Sequence, residues 1–454
     1  MALVLRESFH QTDIIVSTEQ GKVKREPPTL PLVIPTGTNS VMPFHLVHPI
    51  RKRFAIMRSI SLLLVFILLV GSAPAREPDD KKLAAIPKSM QKFVENKVIT
   101  GAVTVVGSSR GIARIDATGN RGLNPAHPMR DSTLFRIASM TKPMIAAGVL
   151  ILADEGKLNV EAPVEKYLPE FREQMLVAER NPDRLVLKKP KRPITIRDLL
   201  THTSGLPNYP AGLGDLYGKR QHNLAEATLA VSQRPLDFEP GSRWAYSNSG
   251  IDTLGRIVEV VSGIRCEDFL ERRLFGPLGM KDTTFYPNEE QKDRMASLFA
   301  QKEGSLRDVG FVLIGNPDKA RHPIPAGGLF STGPDVARFY QMMLSGGTFE
   351  GKQILSPTAV RQLTSLQTGE LSTGFTQGMG YGFGFAVVRK PAGVTAMLSP
   401  GSFGHGGAFG TQSWADPVKD LFVLLLIQRV GLPNGDESEI RRELQRLAVE
   451  AISR

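Results

Sequence analysis

A serine and a lysine three residues apart, Ser139-x-x-Lys142, begin an apolar segment that ends at Gly156. Residues three apart lie on one face of a helical turn, so the lysine amine can reach the serine hydroxyl. A serine hydroxyl is a poor nucleophile until another group takes its proton. The positive end of the helix dipole at Ser139 favours an alkoxide there and lowers the pKa of a nearby lysine. The pair therefore indicates a nucleophilic serine activated by a lysine.

Two further segments carry side chains suited to proton transfer and substrate binding. Tyr246-x-Asn248 supplies a phenol and an amide, and His405-Gly406-Gly407 supplies an imidazole and two glycines beside a predicted strand. Together with the serine and the lysine, these segments predict an acyl-transfer site.

The spacings by themselves are weak signals, because the chain repeats both of them. Ser89-x-x-Lys92 lies in a charged segment that we expect to form an exposed helix. Tyr286-Pro287-Asn288 has a proline in the middle of its turn. We therefore assign the chemistry from the whole set of segments and their order, and predict that Ser139, not Ser89, is acylated.

In their order along the chain, the three segments resemble the motifs of class C β-lactamases, penicillin-binding DD-peptidases and related serine esterases. The resemblance extends from Leu83 to the C-terminus. Four surrounding segments also carry it: Leu134-Phe135-Arg136-Ile137-Ala138, Leu199-Leu200-Thr201-His202-Thr203-Ser204-Gly205-Leu206-Pro207, Ala326-Gly327-Gly328-Leu329-Phe330-Ser331-Thr332 and Gly404-His405-Gly406-Gly407-Ala408-Phe409-Gly410-Thr411. Within the second of these segments, His202 is interpreted as structural.

The resemblance implies a role for each motif residue. Ser139 would be the acylated nucleophile, and Lys142 and Tyr246 would share the general-base and general-acid work, with the first base left open. Asn248 would hold a substrate carbonyl or amide and orient the lysine. The backbone N–H groups of Ser139 and Ala408 would form the oxyanion hole that stabilises a tetrahedral intermediate.

At one motif the chain departs from many members of that family, which carry Lys-Thr-Gly where this chain has the substrate-binding residues His405, Gly406 and Gly407. A histidine with an ordinary pKa near 6.5 is only about a quarter protonated at neutral pH, and Gly406 has no hydroxyl group, so recognition of a carboxylate should be weaker. Glycines also allow a bulky acyl or alkoxy group to approach the strand backbone. These departures favour an esterase or broad acyl hydrolase. A β-lactamase or DD-peptidase, and a non-catalytic cell-wall-binding module, stay open as alternatives.

The elements that would position these motifs come from both ends of the chain. Residues 101–107, 112–117, 413–416 and 421–427 have the composition of strands, and residues 437–452 have helical periodicity. One sheet built from both ends, with a mostly helical domain inserted at about 156–320, is the expected arrangement. The resemblance implies the same fold class: an α/β (α+β) protein, β-lactamase/transpeptidase-like, whose antiparallel sheet is flanked by helices. The site would lie in the cleft beside an all-helical domain.

The N-terminal region carries a separate signal. Met57-Arg58 precedes an apolar run that ends at Gly71, and Ala73-Pro74-Ala75 follows it, as in a secretory signal peptide. We therefore interpret residues 57–75 as a signal peptide, residues 1–56 as a start-site artefact or tail, and residues 76–454 as the hydrolase, exported to the periplasm or secreted. An uncleaved signal anchor is the alternative, and the membrane would be contacted only in that case.

Composition excludes several function classes. The single cysteine, Cys266, cannot form a disulfide within one chain or a multi-thiolate metal site. The net charge of +11 is mild for 454 residues and spread along the chain, which argues against nucleic acid as a partner. The sequence shows no Gly-rich phosphate loop after a strand and no spaced histidine and carboxylate cluster, so we expect no cofactor and no metal. The expected partner is a small-molecule ester, amide or lactam, and the oligomeric state is left open.

Overall fold

The structure is a computed structural model that describes residues 78–208, 219–311, 316–374, 376–432 and 435–452. The predicted signal peptide and the residues before it lie outside the described residues, so their cleavage stays a prediction. All described residues belong to one compact unit. None of the described helices combines the length and the apolar composition needed to cross a bilayer.

Twelve α-helices are described. In chain order they are α1 (Asp80–Leu83), α2 (Ala85–Glu95), α3 (Thr141–Asp154), α4 (Ile196–Leu200), α5 (Leu224–Ser232), α6 (Asn248–Ser262), α7 (Cys266–Leu270), α8 (Gly276–Leu278), α9 (Glu289–Asp293), α10 (Gly333–Leu344), α11 (Pro357–Thr364) and α12 (Glu439–Ile452). A 3₁₀ turn, Ala138–Met140, leads directly into α3.

Sixteen strands are described, many of them short. In chain order they are β1 (Gly101–Ser108), β2 (Gly111–Gly119), β3 (Phe135–Arg136), β4 (Leu176–Arg180), β5 (Leu185–Lys188), β6 (Phe299–Lys302), β7 (Ser305–Asp308), β8 (Phe330–Ser331), β9 (Thr348–Phe349), β10 (Lys352–Gln353), β11 (Met379–Tyr381), β12 (Ala386–Val388), β13 (Phe403–Gly406), β14 (Gln412–Asp416), β15 (Leu421–Leu426) and β16 (Arg429–Val430).

A seven-stranded antiparallel sheet is assembled from both ends of the chain, in the order β11-β12-β13-β14-β15-β1-β2. The N-terminal strand β1 pairs with the C-terminal strand β15, with Val105 opposite Leu424. The predicted strands correspond to β1, β2, β14 and β15, and the predicted last helix corresponds to α12. The prediction of one sheet with strands from both ends is therefore confirmed.

Helices cover both faces of this sheet, because alternate side chains along its central strands point to opposite sides. Val103 and Val105 of β1 belong to the larger hydrophobic core, which includes α3 and α10. Ala102 and Val106 belong to a second core, which α2 and α12 complete. The central strands β1, β14 and β15 are therefore buried on both sides, and they support the strand β13 at the site.

The middle of the chain contains the helices α4 to α9 and two hairpins, β4–β5 and β6–β7. The sequence does not predict these hairpins, because their strands are short, partly exposed and flanked by charged residues. The division into a sheet domain and a helical domain at about 156–320 stays a prediction.

Candidate active site

The nucleophile candidate Ser139 lies in the 3₁₀ turn before α3. Helix α3 is buried over nearly its whole length, so its first turn is fixed in the core. Ala138 has φ +46°, a left-handed conformation that is uncommon for a residue with a side chain. The Thr141 hydroxyl donates to the Ala138 carbonyl at 2.6 Å and holds this turn in place. The serine is therefore presented on a constrained turn at the start of a rigid helix.

Lys142 lies beside this serine, as the spacing predicts. Its Nζ donates to Ser139 Oγ at 3.0 Å and to the carbonyl oxygen of Ala326 at 2.6 Å. The lysine side chain is fully buried, and desolvation lowers its pKa to about 7, although the charge of Asp252 opposes the shift. An amine with this pKa is partly neutral at neutral pH and can accept a proton from the serine hydroxyl.

Tyr246 borders the same lysine. Lys142 Nζ lies 4.6 Å from the centroid of the Tyr246 ring, within the range of a cation–π contact. The other side of the tyrosine meets the His202 ring, with 4.6 Å between centroids. His202 also fixes the main chain on both sides of the tyrosine: its Nδ1 accepts from the N–H of Ser247, and its carbonyl accepts from the N–H of Ala245. Through these contacts His202 holds the ring of Tyr246 and the adjoining main chain in position.

Asn248 is the first residue of α6, which Ser247 caps by accepting the N–H of Gly250. Both the main-chain N–H and the side-chain Nδ2 of Asn248 donate to Asn208 Oδ1, at 2.9 and 2.8 Å. Asn208 therefore orients the predicted substrate-binding amide. No motif predicts Asn208, although this residue directly follows the Leu206-Pro207 turn of the family segment.

One cavity of about 300 Å³ brings the predicted residues together. Its lining residues are Ser139, Asn208, Tyr246, Asn248, His405, Gly406, Gly407, Ala408, Gly410, Leu432, Gly435 and Asp436. Every predicted site residue except Lys142 is among them, and Lys142 reaches the cavity through its contact with Ser139 Oγ. The set drawn from distant parts of the sequence thus converges on a single cleft.

The end of β13 packs tightly onto the turn of the serine, and Gly407 permits this close approach. A Cβ atom at this position would lie 2.5 Å from the carbonyl oxygen of Ile137 and 2.2 Å from the Thr411 hydroxyl. Thr411 in turn donates to the Ile137 carbonyl. This packing brings Ala408 and Ser139 to the same cavity, as an oxyanion hole made from their N–H groups would require. That assignment stays a prediction.

His405 is held by a hydrogen-bonded chain that fixes both of its ring nitrogens. Because the Ser247 N–H occupies Nδ1 of His202, the His202 proton is on Nε2, which donates to Tyr381 Oη at 3.1 Å. Tyr381 then donates to His405 Nε2 at 3.1 Å, and His405 Nδ1 donates to the Gly406 carbonyl at 2.6 Å. Burial lowers the pKa of His405 to about 4. The imidazole that lines the cavity is therefore neutral and already satisfied within the protein.

The expectation that the glycines leave room for a bulky substrate group is wrong at Gly406. A Cβ atom there would lie 2.1 Å from Asp436 Oδ1 and 2.6 Å from Gln412 Nε2. The space beside the strand is thus occupied by protein side chains. The side of Gly406 where a Cβ atom would point therefore holds Asp436, and the residue lines the cavity with the rest of its surface.

Several contributors to the site have no motif that would reveal them. Tyr381 forms hydrogen bonds to both His202 and His405, and Asp436 comes from the segment before the last helix. Asp252 accepts from the N–H of Ala326 at 2.8 Å and influences Lys142 through its charge. Its position one helical turn after Asn248 was the available signal. The other two depend on tertiary contacts alone.

Comparisons with known proteins support the predicted resemblance. A family model described as Beta-lactamase matches residues 86–448. Protein Rv1367c of Mycobacterium tuberculosis is 34% identical over 364 residues, which are 75% of this chain and 88% of that protein. Esterase EstB of Burkholderia gladioli is 30% identical over 375 residues, which are 77% of this chain and 91% of the esterase.

A solved structure shows the same fold. EstCE1, described as a hydrolase with promiscuous acyltransferase activity, superposes with a TM-score of 0.69 at 24% identity, covering 82% of this chain and 99% of that chain. The β-lactamase/transpeptidase-like fold class is therefore confirmed. The likeness at this level of identity concerns the fold, and the roles of the site residues stay predictions.

Proposed function

Because this chain belongs to the β-lactamase family and is a serine hydrolase, we propose that it is an exported esterase or broad acyl hydrolase that works through an acyl-enzyme on Ser139. Three observations support it: the geometry of the serine and the lysine, the neutral His405 in a cavity whose described lining has no lysine or arginine, and the likeness to EstB. The substrate would be a small molecule with an ester, amide or lactam bond, and esters are the preferred class.

The chemistry begins with attack of Ser139 Oγ on the ester carbonyl carbon. A C–O bond forms, the carbonyl π electrons move to its oxygen, and the serine proton passes to Lys142 Nζ or Tyr246 Oη. The N–H groups of Ser139 and Ala408 would stabilise the resulting oxyanion. Collapse of this intermediate breaks the bond to the alkoxy group, which takes the proton and leaves as an alcohol.

The second half of the reaction returns the enzyme to its starting state. A water molecule attacks the acyl carbon on Ser139 while Lys142 or Tyr246 takes one of its protons. The bond from the acyl carbon to Oγ then breaks, the acid is released, and the proton returns to the serine oxygen. Asn248, held by Asn208, is placed to bind the acyl carbonyl or an amide during both steps.

The neutrality of His405 is the observation that favours an esterase. A substrate carboxylate, as in penicillins and peptides that end in D-Ala, is best bound by a fixed positive charge or a charge-assisted donor. The His405 imidazole is neutral, and Tyr381 and the Gly406 carbonyl occupy its nitrogens. None of the described residues that line the cavity is a lysine or an arginine. Neutral esters lose nothing by this arrangement.

A substrate panel tests the proposal. The purified protein and a Ser139→Ala control would be given p-nitrophenyl esters, a chromogenic cephalosporin and a D-Ala-D-Ala peptide, and kcat/KM would be measured for each. Ester turnover that exceeds the other two and requires Ser139 is the expected result. Preferential turnover of the cephalosporin or the peptide would support the β-lactamase or DD-peptidase alternative, and no turnover with no acylation would support a binding module.

Export is the second part of the proposal, and residues 57–75 support it. N-terminal sequencing of the protein recovered from its native host should begin near Arg76. A protein that begins at Met1 and sediments with the membrane would refute cleavage.

A further inference from the structure

The carboxylate of Asp436, which no sequence motif predicts, lies at the edge of the cleft. Asp436 lies in a 3₁₀ turn shortly before α12 and lines the cavity together with His405, Gly406 and Gly407. Its Oδ1 accepts from Gln412 Nε2 at 3.0 Å, which fixes the carboxylate against the end of β13. The absent side chain of Gly406 leaves the space that this carboxylate fills.

Asp436 dominates the formal charge of the cavity surface. Among the described residues that line the cavity, it is the one with a formal charge at neutral pH, since His405 is neutral. Lys142 is fully buried beneath the serine. Arg441 is also buried: it stacks on Trp414 and donates to the main-chain carbonyl of Asp436, not to its carboxylate. The cleft therefore presents a negative charge beside Gly406.

We propose that Asp436 determines substrate charge in this cleft: it selects esters that are neutral or cationic in the group lying against Gly406 and disfavours a carboxylate there. This inference rests on the proposed function and adds a substrate class to it. A unit charge a few ångströms from a carboxylate interacts strongly in a partly desolvated site. After screening by solvent we expect about a tenfold effect on kcat/KM in each direction.

Isosteric substrate pairs isolate the charge. Acetylcholine and 3,3-dimethylbutyl acetate have the same shape and differ by one positive charge, and 4-acetoxybutanoate and 4-acetoxybutanamide differ by one negative charge. The parent protein should prefer the cation in the first pair and the neutral amide in the second. Asp436→Asn keeps an acceptor for Gln412 but removes the charge, so both kcat/KM ratios should move towards one by about tenfold.

Glu439→Gln is the matched control. Glu439 is exposed at the start of α12 and does not line the cavity. Its replacement by glutamine removes one negative charge, as Asp436→Asn does. It should leave both ratios at the parent values. Ratios that do not change in Asp436→Asn, or that change equally in both variants, would overturn the inference.

A second measurement separates this inference from the proposed function. Rates of Ser139 labelling by a neutral and by a carboxylate-bearing fluorophosphonate report the charge preference without ester turnover. If esters are not hydrolysed but Asp436→Asn speeds labelling by the anionic probe relative to the neutral one, the esterase proposal fails and the role of Asp436 stands. If esters are hydrolysed and neither ratio responds to Asp436→Asn, only the role of Asp436 fails. If Ser139 reacts with neither probe, both are overturned.

Discussion

Two regions of this molecule contain a serine and a lysine at the same spacing, and they have little else in common. On α2, the Ser89 hydroxyl donates to Glu443 at 3.1 Å and Lys92 is exposed to solvent. At the start of α3, Lys142 is fully buried and its Nζ lies 3.0 Å from Ser139 Oγ. The first lysine is in contact with solvent, whereas desolvation lowers the pKa of the second to about 7.

The difference shows that the spacing only lets the lysine amine reach the serine hydroxyl, and that the surroundings of the pair determine whether the amine can act as a base. Helix α2 is amphipathic, with its serine and lysine away from the core, and it packs against α12. Helix α3 is apolar from Pro143 to Ala153 and buried in the core, and its polar first turn is enclosed by Tyr246, Ala326 and the end of β13. A lysine can become a base here because the fold excludes water from its amine.

Replacing the two serines one at a time should give the largest difference in activity. Ser139→Ala should lower kcat/KM for esters by about 10⁴-fold or more and abolish acylation by a fluorophosphonate, because the nucleophile is lost. Ser89→Ala should stay within about twofold, since that hydroxyl bonds to a partly buried carboxylate and does not line the cavity. Kinetics and peptide mapping of the labelled protein provide the measurement. Label on Ser89 would reverse the comparison.

The two lysines should differ next in stability. A buried lysine with a pKa of about 7, against 10.5 in its ordinary state, destabilises the fold at every pH at which the unfolded chain holds the proton. This cost is fully present below pH 7, declines as the pH rises, and vanishes above the unfolded-state pKa. Lys142→Met removes it, so the variant should be more stable than the parent by a few kcal/mol at pH 6 and by much less at pH 10, at the expense of activity.

Lys92→Met is the matched control for that measurement. Because Lys92 is exposed, its replacement should change the free energy of unfolding by less than about 0.5 kcal/mol at either pH. Denaturant titrations of the three proteins at pH 6, 8 and 10 would give the values. A gain in Lys142→Met that did not vary with pH would contradict the role of desolvation.

Much of the fold and the site could be predicted because their signals are local. The apolar runs of β1 and β15 and the periodicity of α12 are written in consecutive residues. The three motifs are short, and their order along the chain is specific. They led to residues 139, 142, 246, 248 and 405–408, all of which the structure brings to one place.

The remainder could not be predicted because it depends on contacts between distant residues. The neutrality of His405 arises from its burial in the folded protein, where Tyr381, 24 residues earlier in the chain, bonds to its ring nitrogen. The space beside Gly406 is filled by the carboxylate of Asp436, 30 positions later in the chain. The missing side chain therefore makes room for another protein side chain at this point. The β4–β5 hairpin has partly exposed strands and lacks the apolar alternation that identifies a half-buried strand.

The hydrogen-bonded chain of His202, Tyr381 and His405 in this buried region can be broken at Tyr381. Tyr381→Phe leaves Nε2 of both His202 and His405 without the tyrosine hydroxyl, and a buried polar group that loses its partner costs about 1–3 kcal/mol. We expect a loss of stability of this order and a lower kcat/KM, since both histidines contact the Tyr246 side of the site. Denaturant titration and ester kinetics would measure the two effects.

Tyr340→Phe is the comparison for this variant. Tyr340 is an equally buried tyrosine whose hydroxyl donates to Ser413 Oγ at 2.7 Å, away from the cavity lining. It should lose stability of similar size while keeping kcat/KM near the parent value. Equal losses of activity in both variants would mean that Tyr381 contributes only to folding.

The smallest expected effect concerns the charge that tunes the buried lysine. If neutral Lys142 accepts the proton, kcat/KM for a neutral ester should rise with pH through an apparent pKa of about 7 and then level off. The Asp252 carboxylate raises the pKa of Lys142, because it favours the charged amine. Asp252→Asn keeps an oxygen that can accept the Ala326 N–H and removes the charge. The pKa of Lys142 should then fall, and the rising limb should move to lower pH.

The direction in which the rising limb of the pH profile moves tests whether Lys142 is the base. At pH 6 a larger share of the amine would be neutral in Asp252→Asn, so its kcat/KM at pH 6, divided by its plateau value, should exceed the parent ratio. Glu259→Gln, on the same helix but paired with Arg256, makes the same change in net charge and should leave the limb in place. A limb that moves to higher pH, or one that moves equally in both variants, would show that Lys142 is not the group whose deprotonation starts the reaction. Tyr246 would then be the first base, and the burial that separates Lys142 from Lys92 would serve to position the serine instead of activating it.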